Sequence, residues 1–316
     1  MQFRTKIPLI KQKRNPIDYK SKILLFGSCF SENIGDNLKY FKFPTYINPF
    51  GILFHPKAIE SSLLNTINKK EYTEDDLFFH NEQWHCFEAH SKLSNISKDD
   101  LLQALHTTIK STYQQLVESS HIIITLGTAW VYRFIETDTI VANCHKIPQK
   151  KFLKELLTVD EITESLNAMI ALIHSINKNV SILFTLSPVR HLKDGFIENQ
   201  QSKSHLTAAI HNVLDKRKNV SYFPSYEIMI DELRDYRFYD EDMIHPNTMA
   251  IKYIWEKFVN TLISDDSIEV MEEVDAIRKN LAHKPFNSSS KQHQEFLANT
   301  ASKIKALQLK FPAIHF

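Results

Sequence analysis

Four short apolar runs, each stopped by a turn residue, constrain this 316-residue chain more than any other feature. Residues 23–26 (ILLF) stop at Gly27-Ser28, residues 121–126 (HIIITL) at Gly127, residues 180–186 (VSILFTL) at Ser187-Pro188, and residues 220–223 (VSYF) at Pro224. Runs this short, rich in Ile, Val, Phe and Thr, read as buried strands. Between them, apolar residues recur at helical spacing. Leu101, Leu102, Leu105, Ile109, Tyr113 and Leu116 mark a helix over 99–118, and Ile162, Leu166, Met169, Ile170 and Ile173 mark another over 160–176. Leu206, Ala209, Ile210, Val213 and Leu214 mark a third over 203–216. Strand and helix in alternation predict an α/β fold, a mainly parallel sheet with helices on both faces. The aromatic, partly alternating stretch 71–93 breaks the rhythm and reads as an inserted β-hairpin. A helix over 247–262 follows, and beyond residue 264 the strands stop. Residues 267–281 and 290–309 read as polar helices joined at Pro285. The expected division is an α/β domain over 1–264 and a helical C-terminal extension over 265–316 packed on it.

Composition narrows the function. Lys and Arg number 38 against 37 Asp and Glu, a net charge of +1, without the basic excess of a nucleic-acid binder. The longest apolar runs are far too short to span a bilayer, and the N-terminal stretch lacks the apolar segment of a secretory signal. Cys29, Cys86 and Cys144 form neither a CxxC pair nor a zinc spacing, which suits a reducing compartment. A cytoplasmic protein acting on a small molecule is therefore expected, with no nucleic-acid or membrane partner. Nothing in the sequence sets its oligomeric state. There are only 5 glycines, where average usage would give roughly 22. A chain this poor in glycine keeps it where no other residue fits the backbone. Scattered singly, these glycines exclude a Gly-rich nucleotide loop.

Parallel sheets bind ligands at the carboxyl ends of their strands, and this chain loads those ends. The first run leads into Gly27-Ser28-Cys29-Phe30-Ser31. A strand-to-helix turn there presents Ser28 or Cys29 to the free N–H groups of a helix, which favour a thiolate and stabilise an oxyanion. Far along the chain stands Asp242-Met243-Ile244-His245-Pro246-Asn247. A carboxylate three residues before an imidazole can reach and orient it, and Pro246 suits the first position of the helix that follows. Nucleophile, base and orienting acid together fit acyl chemistry. Taken singly, the same residues fit a capping Ser, a packed Cys and an incidental His.

The ordered motifs FGSCFSENIG (26–35), NPFGILFHP (48–56), HSKLS (90–94), TLGTAWVY (125–132), TLSPVRHLKDG (185–195), YFPSYEIMIDELRDYRFY (222–239) and DMIHPN (242–247) closely resemble the GSCFA family. HKPF (283–286) extends the likeness into the tail. Through its first and last motifs the chain also resembles, distantly, the SGNH (GDSL-like) hydrolase superfamily. The resemblance implies a flavodoxin-like three-layer α/β/α fold and an acyl-ester hydrolase or acyltransferase that needs no cofactor. A carbohydrate O-acyl substrate is implied only by analogy.

Aligned from the glycine of the superfamily's Gly-Asp-Ser motif, Cys29 takes the nucleophile position and Ser28 that of the Asp. Cys29 is favoured, and Ser28 remains the alternative. Asp242 and His245 match the terminal motif as orienter and base. Gly51, in Asn48-Pro49-Phe50-Gly51, matches the glycine whose N–H serves the oxyanion hole. The chain departs from the superfamily after Gly127. The oxyanion asparagine is replaced by Ala129, leaving Thr128, Asn48 or His90 as substitutes. That departure motivates a second reading, a catalytically inactive binding or regulatory module. Arg190 and His191, at a strand end, suit a substrate contact such as a carboxylate or phosphate clamp, or else a surface ion pair. His80, His85, Cys86 and His90 cluster without a zinc pattern, so no metal is expected. Asp231, Arg234, Asp235 and Arg237 are expected to pair locally.

Overall fold

A computed structural model describes residues 5–214 and 219–316. The chain forms β1 (Ile23–Gly27), α1 (Cys29–Tyr40), β2 (Thr45–Ile47) and α2 (Pro56–Ile67). The hairpin β3 (Leu77–His80) and β4 (Gln83–Cys86), α3 (Lys98–Glu118) and β5 (His121–Leu126) follow. Then come β6 (Trp130–Phe134), β7 (Thr139–Val141), β8 (Phe152–Leu156), α4 (Val159–Ile176), β9 (Ser181–Leu186), α5 (Phe196–Leu214) and β10 (Val220–Phe223). The chain continues through a one-turn helix α6 (Ser225–Glu227), a π turn over Ile228–Glu232, α7 (Thr248–Leu262), α8 (Asp265–Ala282) and α9 (Lys291–Lys310). Positions 215 and 216 of the expected 203–216 helix lie outside the described residues.

The central sheet runs β10-β9-β5-β1-β2, with every neighbouring pair parallel. Counted among its own five strands, this is the flavodoxin-like order 2-1-3-4-5. The apolar runs supply both faces. Leu24, Phe26, Ile122, Ile124, Ile182 and Phe184 pack with α2, α3, α4 and α5, while Ile23, Leu25, Ile123 and Leu183 pack with α1, α7 and α8. That alternation is the pleat of a sheet covered on both sides, and it makes three layers. The strand order reverses between β1 and β5, which opens a crevice at their carboxyl ends.

Local chemistry explains most boundaries. The β3–β4 turn is Asn81-Glu82, both at positive φ, as a two-residue hairpin turn requires. Thr158 and Glu161 form a reciprocal capping box that starts α4. Pro246 does not open α7. Asn247 is the N-cap, its Oδ1 accepting from the amides of Met249 and Ala250 at 3.1 Å each.

Three features were not expected from the sequence. β2 is only three half-buried residues. α2 follows the Asn48–Phe54 loop and is capped by His55, whose Nδ1 accepts from Ala58 N at 3.1 Å. An antiparallel sheet, β7-β6-β8, fills the crossover between β5 and α4. Its strands mix apolar residues with charges that pair across it, Arg133 gripping Glu155 through two hydrogen bonds of 2.8 and 3.1 Å. The tail packs on the α1–α7 layer, where Met271, Val274 and Ile277 of α8 and Leu307 of α9 share a core with Ile34 and Leu38. Among the described residues no helix is long and apolar enough to cross a membrane.

Gly27 closes β1 at φ +132°, and a Cβ there would lie 2.1 Å from the Thr125 carbonyl oxygen of β5. Gly27→Ala is therefore expected to destabilise the fold by about 3 kcal/mol, combining left-handed strain with a backbone clash. Urea denaturation followed by far-UV circular dichroism measures it, and an unchanged midpoint would contradict the close approach.

Candidate active site

The turn after β1 separates the two candidate nucleophiles. Ser28 is 1% exposed and is the N-cap of α1, its Oγ accepting from Phe30 N at 3.3 Å. Its own N–H donates to Thr125 O at 3.1 Å. Cys29 is the first helical residue and is half-buried. Its N–H has no other hydrogen-bond partner among the described residues. The thiol is thus the group presented, with an open amide beside it. Burial pushes the Cys29 pKa up, and the Glu32 charge adds to the rise. The amides of Cys29 and Phe30 and the Lys203 charge pull down and lose. The resting thiolate expected from the helix end is therefore corrected, and deprotonation needs a base.

Asp242 and His245 sit together on an exposed loop. Asp242 Oδ2 accepts from His245 Nδ1 at 2.7 Å, and Oδ1 accepts from the amides of Ile244 at 2.8 Å and His245 at 2.9 Å. These bonds hold the Asp242 carboxyl down to about 2, the His245 amide and ring first and the Ile244 amide after them. With Nδ1 as donor, Nε2 is left as the basic nitrogen. Arg190 N donates to Ile244 O at 3.2 Å, tying this loop to the chain leaving β9. No hydrogen bond joins Cys29 to His245 in this structure, and such bonds commonly tighten only with substrate.

His191 lies beside them. Its ring packs so closely on Gly127 that a Cβ there would come within 2.9 Å of Nε2. Burial, then Lys203 and His245, push its pKa down to about 3, so the imidazole is neutral. Its Nε2 is buried without a partner.

Lys203 was not anticipated. It is 1% exposed, and its Nζ donates to Gly127 O and Ser187 O at 2.8 Å each. It thereby joins the carboxyl ends of β5 and β9 behind the crevice. Burial pushes its pKa down to about 7, with the Cys29 charge opposing the fall. A signal existed: Asn199, Lys203, Leu206, Ile210 and Val213 form one buried stripe of α5, and an unpaired lysine on such a stripe is costly.

The proposed substitutes for the missing asparagine separate cleanly. Ala129 is wholly buried. Thr128 Oγ1 is engaged with Ser202 Oγ at 3.0 Å and Trp130 N at 3.1 Å. His90 is half-buried, its Nδ1 accepting from Lys92 N at 3.2 Å. The Gly51 amide, expected to serve an oxyanion, instead donates to Asn48 O at 2.8 Å and closes a turn at φ +76°. Gly51 is required there because a Cβ would strike the His90 side chain at 2.4 Å. Asn48 is different. It is 8% exposed, and neither its Nδ2 nor its Oδ1 has a hydrogen-bond partner. Its loop crosses the end of β1, Asn48 N donating to Leu25 O and Leu53 N to Gly27 O. An orphaned buried amide costs stability unless something else is to bind it.

The histidine-rich hairpin makes no such site. His85 hydrogen-bonds Ser94 Oγ at 2.6 Å and His80 O at 2.9 Å, and its ring stacks near His145 at 4.7 Å. Among the described residues no three His, Cys, Asp or Glu converge as metal ligands. Arg234 pairs with Asp231 at 2.7 Å and Arg237 with Asp235 at 2.8 Å, as the spacing predicts.

The sequence model of the GSCFA family matches residues 22–258, and that of the GSCFA domain protein C-terminal domain matches residues 274–316. The chain belongs to the GSCFA family. No curated protein matches it. Among solved structures, this GSCFA protein is similar to an acetyl xylan esterase (Est2A) from the rumen bacterium Butyrivibrio proteoclasticus, at 11% identity and a TM-score of 0.39. That match covers 85% of this chain and 66% of the esterase.

The groups around Cys29 set distinct expectations for its alkylation by iodoacetamide, followed by mass spectrometry across pH. The wild-type midpoint is expected above the ordinary thiol range. Glu32→Gln removes a charge that raises the pKa and moves the midpoint down, whereas Lys203→Met moves it less, because burial holds Lys203 to about 7 and leaves it largely uncharged where the thiol titrates. An unmoved midpoint in Glu32→Gln would refute this electrostatic assignment.

Proposed function

We propose that the chain cleaves or transfers acyl groups through Cys29, His245 and Asp242, as an enzyme distantly related to the SGNH hydrolases. The observation that carries this reading is the 2.7 Å Asp242–His245 bond, which leaves Nε2 as a base on the loop bordering the crevice. A thiol kept protonated by burial needs such a base, so the two findings fit one mechanism.

His245 Nε2 takes the thiol proton as Sγ attacks the ester carbonyl. A C–S bond forms, and the carbonyl electrons move to oxygen. The Cys29 amide and Asn48 Nδ2 hold that oxyanion, Asn48 supplying the donor lost at Ala129. Collapse breaks the C–O bond, and His245 returns its proton to the departing alkoxide. Water, or an acceptor hydroxyl, then attacks the thioester with His245 again as base, a C–O bond forms, the C–S bond breaks, and His245 returns the proton to the Cys29 sulfur. Asp242 keeps the imidazole oriented and stabilises its charged form. A carbohydrate O-acyl group is a substrate of the right chemistry, an ester of a secondary or primary hydroxyl.

Single-turnover reaction with 4-nitrophenyl acetate, digestion and mass spectrometry should place acetyl on Cys29. It should vanish in Cys29→Ala, and His245→Ala should lower kcat/KM by ~10³-fold or more. Acetyl on Ser28 would overturn the choice of Cys29 and make Ser28 the nucleophile, and none on either residue would overturn the acyl chemistry and leave the binding module. Asn48→Asp keeps the size and tolerates the left-handed backbone at φ 43° but removes the donor. It should cut kcat by ~10²–10³-fold.

A further inference from the structure

Beside the Asp242–His245 loop lies a groove of about 410 Å³, walled by Arg190, Leu192, Phe196, Tyr236, Tyr239 and Met243. Met243, two residues before the candidate base, belongs to that loop, so the groove borders the loop that carries His245. In the proposed mechanism that base protonates the departing alkoxide. The groove on its side therefore receives the alcohol part of the ester.

The chemistry of the groove is uneven. Tyr236 is 79% and Phe196 69% exposed, large aromatic faces left in water at a concave site. Flat aromatic faces suit the C–H faces of a sugar or cyclic polyol. Arg190 lies over the Tyr239 ring at 5.9 Å, and its Nε is buried with no hydrogen-bond partner. Among the described residues no carboxylate pairs with it. The neighbouring acids are all engaged elsewhere: Asp231 with Arg234, Asp235 with Arg237, Asp242 with His245, and Glu227 with the Tyr222 hydroxyl at 2.7 and 2.8 Å. Tyr239, Tyr226 and Lys203, which interact with it, carry no negative charge to offset it. A half-buried guanidinium without a counter-ion is costly, and its planar fork matches carboxylate or phosphate.

We propose that this groove is an anion-reading subsite, in which Arg190 binds a carboxylate or phosphate on the alcohol portion of an acylated sugar or polyol. The proposal rests on the acyl-transfer reading for which part of the substrate it holds. The anion preference itself can be read without catalysis. Isothermal titration of the wild-type protein with methyl glucoside, methyl glucuronoside and glucose 6-phosphate distinguishes the two anions. At least one anionic sugar should bind ~10-fold tighter than the neutral one. Arg190→Gln should reduce that ratio towards one, and Arg190→Lys should keep part of it. The ratio, rather than the absolute affinity, is the readout, so a general weakening of the variant does not imitate the result. Equal affinity for all three ligands, no binding of any below about 10 mM, or a preference surviving Arg190→Gln would overturn the proposal. An acyl-enzyme on Cys29 without anion preference sinks the subsite alone. Anion preference without an acyl-enzyme sinks the chemistry and leaves the subsite standing.

Discussion

Everything in the crevice depends on how closely the backbone of β1 approaches that of β5. At Gly27 there is no room for a side chain, and the Ser28 amide reaches across to Thr125 O. The chain can then leave the strand abruptly and enter α1 with Ser28 as its cap and Cys29 as its first residue. A wider spacing would carry the thiol away from the sheet edge. The same approach fixes the 48–53 loop, because Leu53 N uses the carbonyl of Gly27. The candidate nucleophile and the orphaned amide of Asn48 are thus positioned by one contact.

Charge around the thiol follows a consistent scheme. Burial keeps Cys29 neutral, His191 neutral and Lys203 close to its point of deprotonation. What remains exposed is the Asp242–His245 pair, roughly half accessible on both side chains. The Cys29 amide and the unpartnered Asn48 amide lie at the end of β1, whereas the acids Asp231, Asp235 and Asp242 are turned into pairing.

Much of this was legible because it rests on short-range rules. Buried parallel strands are continuous apolar runs, so β1, β5, β9 and β10 were evident from residue type alone. Asp242 and His245 are three residues apart, and their bond is a local matter. The antiparallel sheet β7-β6-β8 was not legible, since its charges pair across strands that sequence distance hides. Lys203 was missed for a related reason. Its partners are carbonyls at the ends of two other strands, and a carbonyl leaves no mark in the sequence. The Gly51 amide was misassigned because the spacing of a motif does not reveal where an N–H points. The thiolate was expected from the helix end and reversed by burial, a tertiary quantity that outweighed a local one.

The grip of α8 on α1 carries a consequence for biosynthesis. Tyr40, the last residue of α1, donates to Asp275 Oδ1 at 2.8 Å and lies under Arg278 at 4.1 Å. The helix that begins with the candidate nucleophile is therefore anchored at its other end by residues translated much later. On the ribosome the Gly27–Ser28–Cys29 turn emerges long before its anchor does, at synthesis rates of roughly 5–20 residues per second. A nascent chain would carry the Cys29 thiol on a helix that is not yet docked, and assembly of the candidate site would wait for the tail.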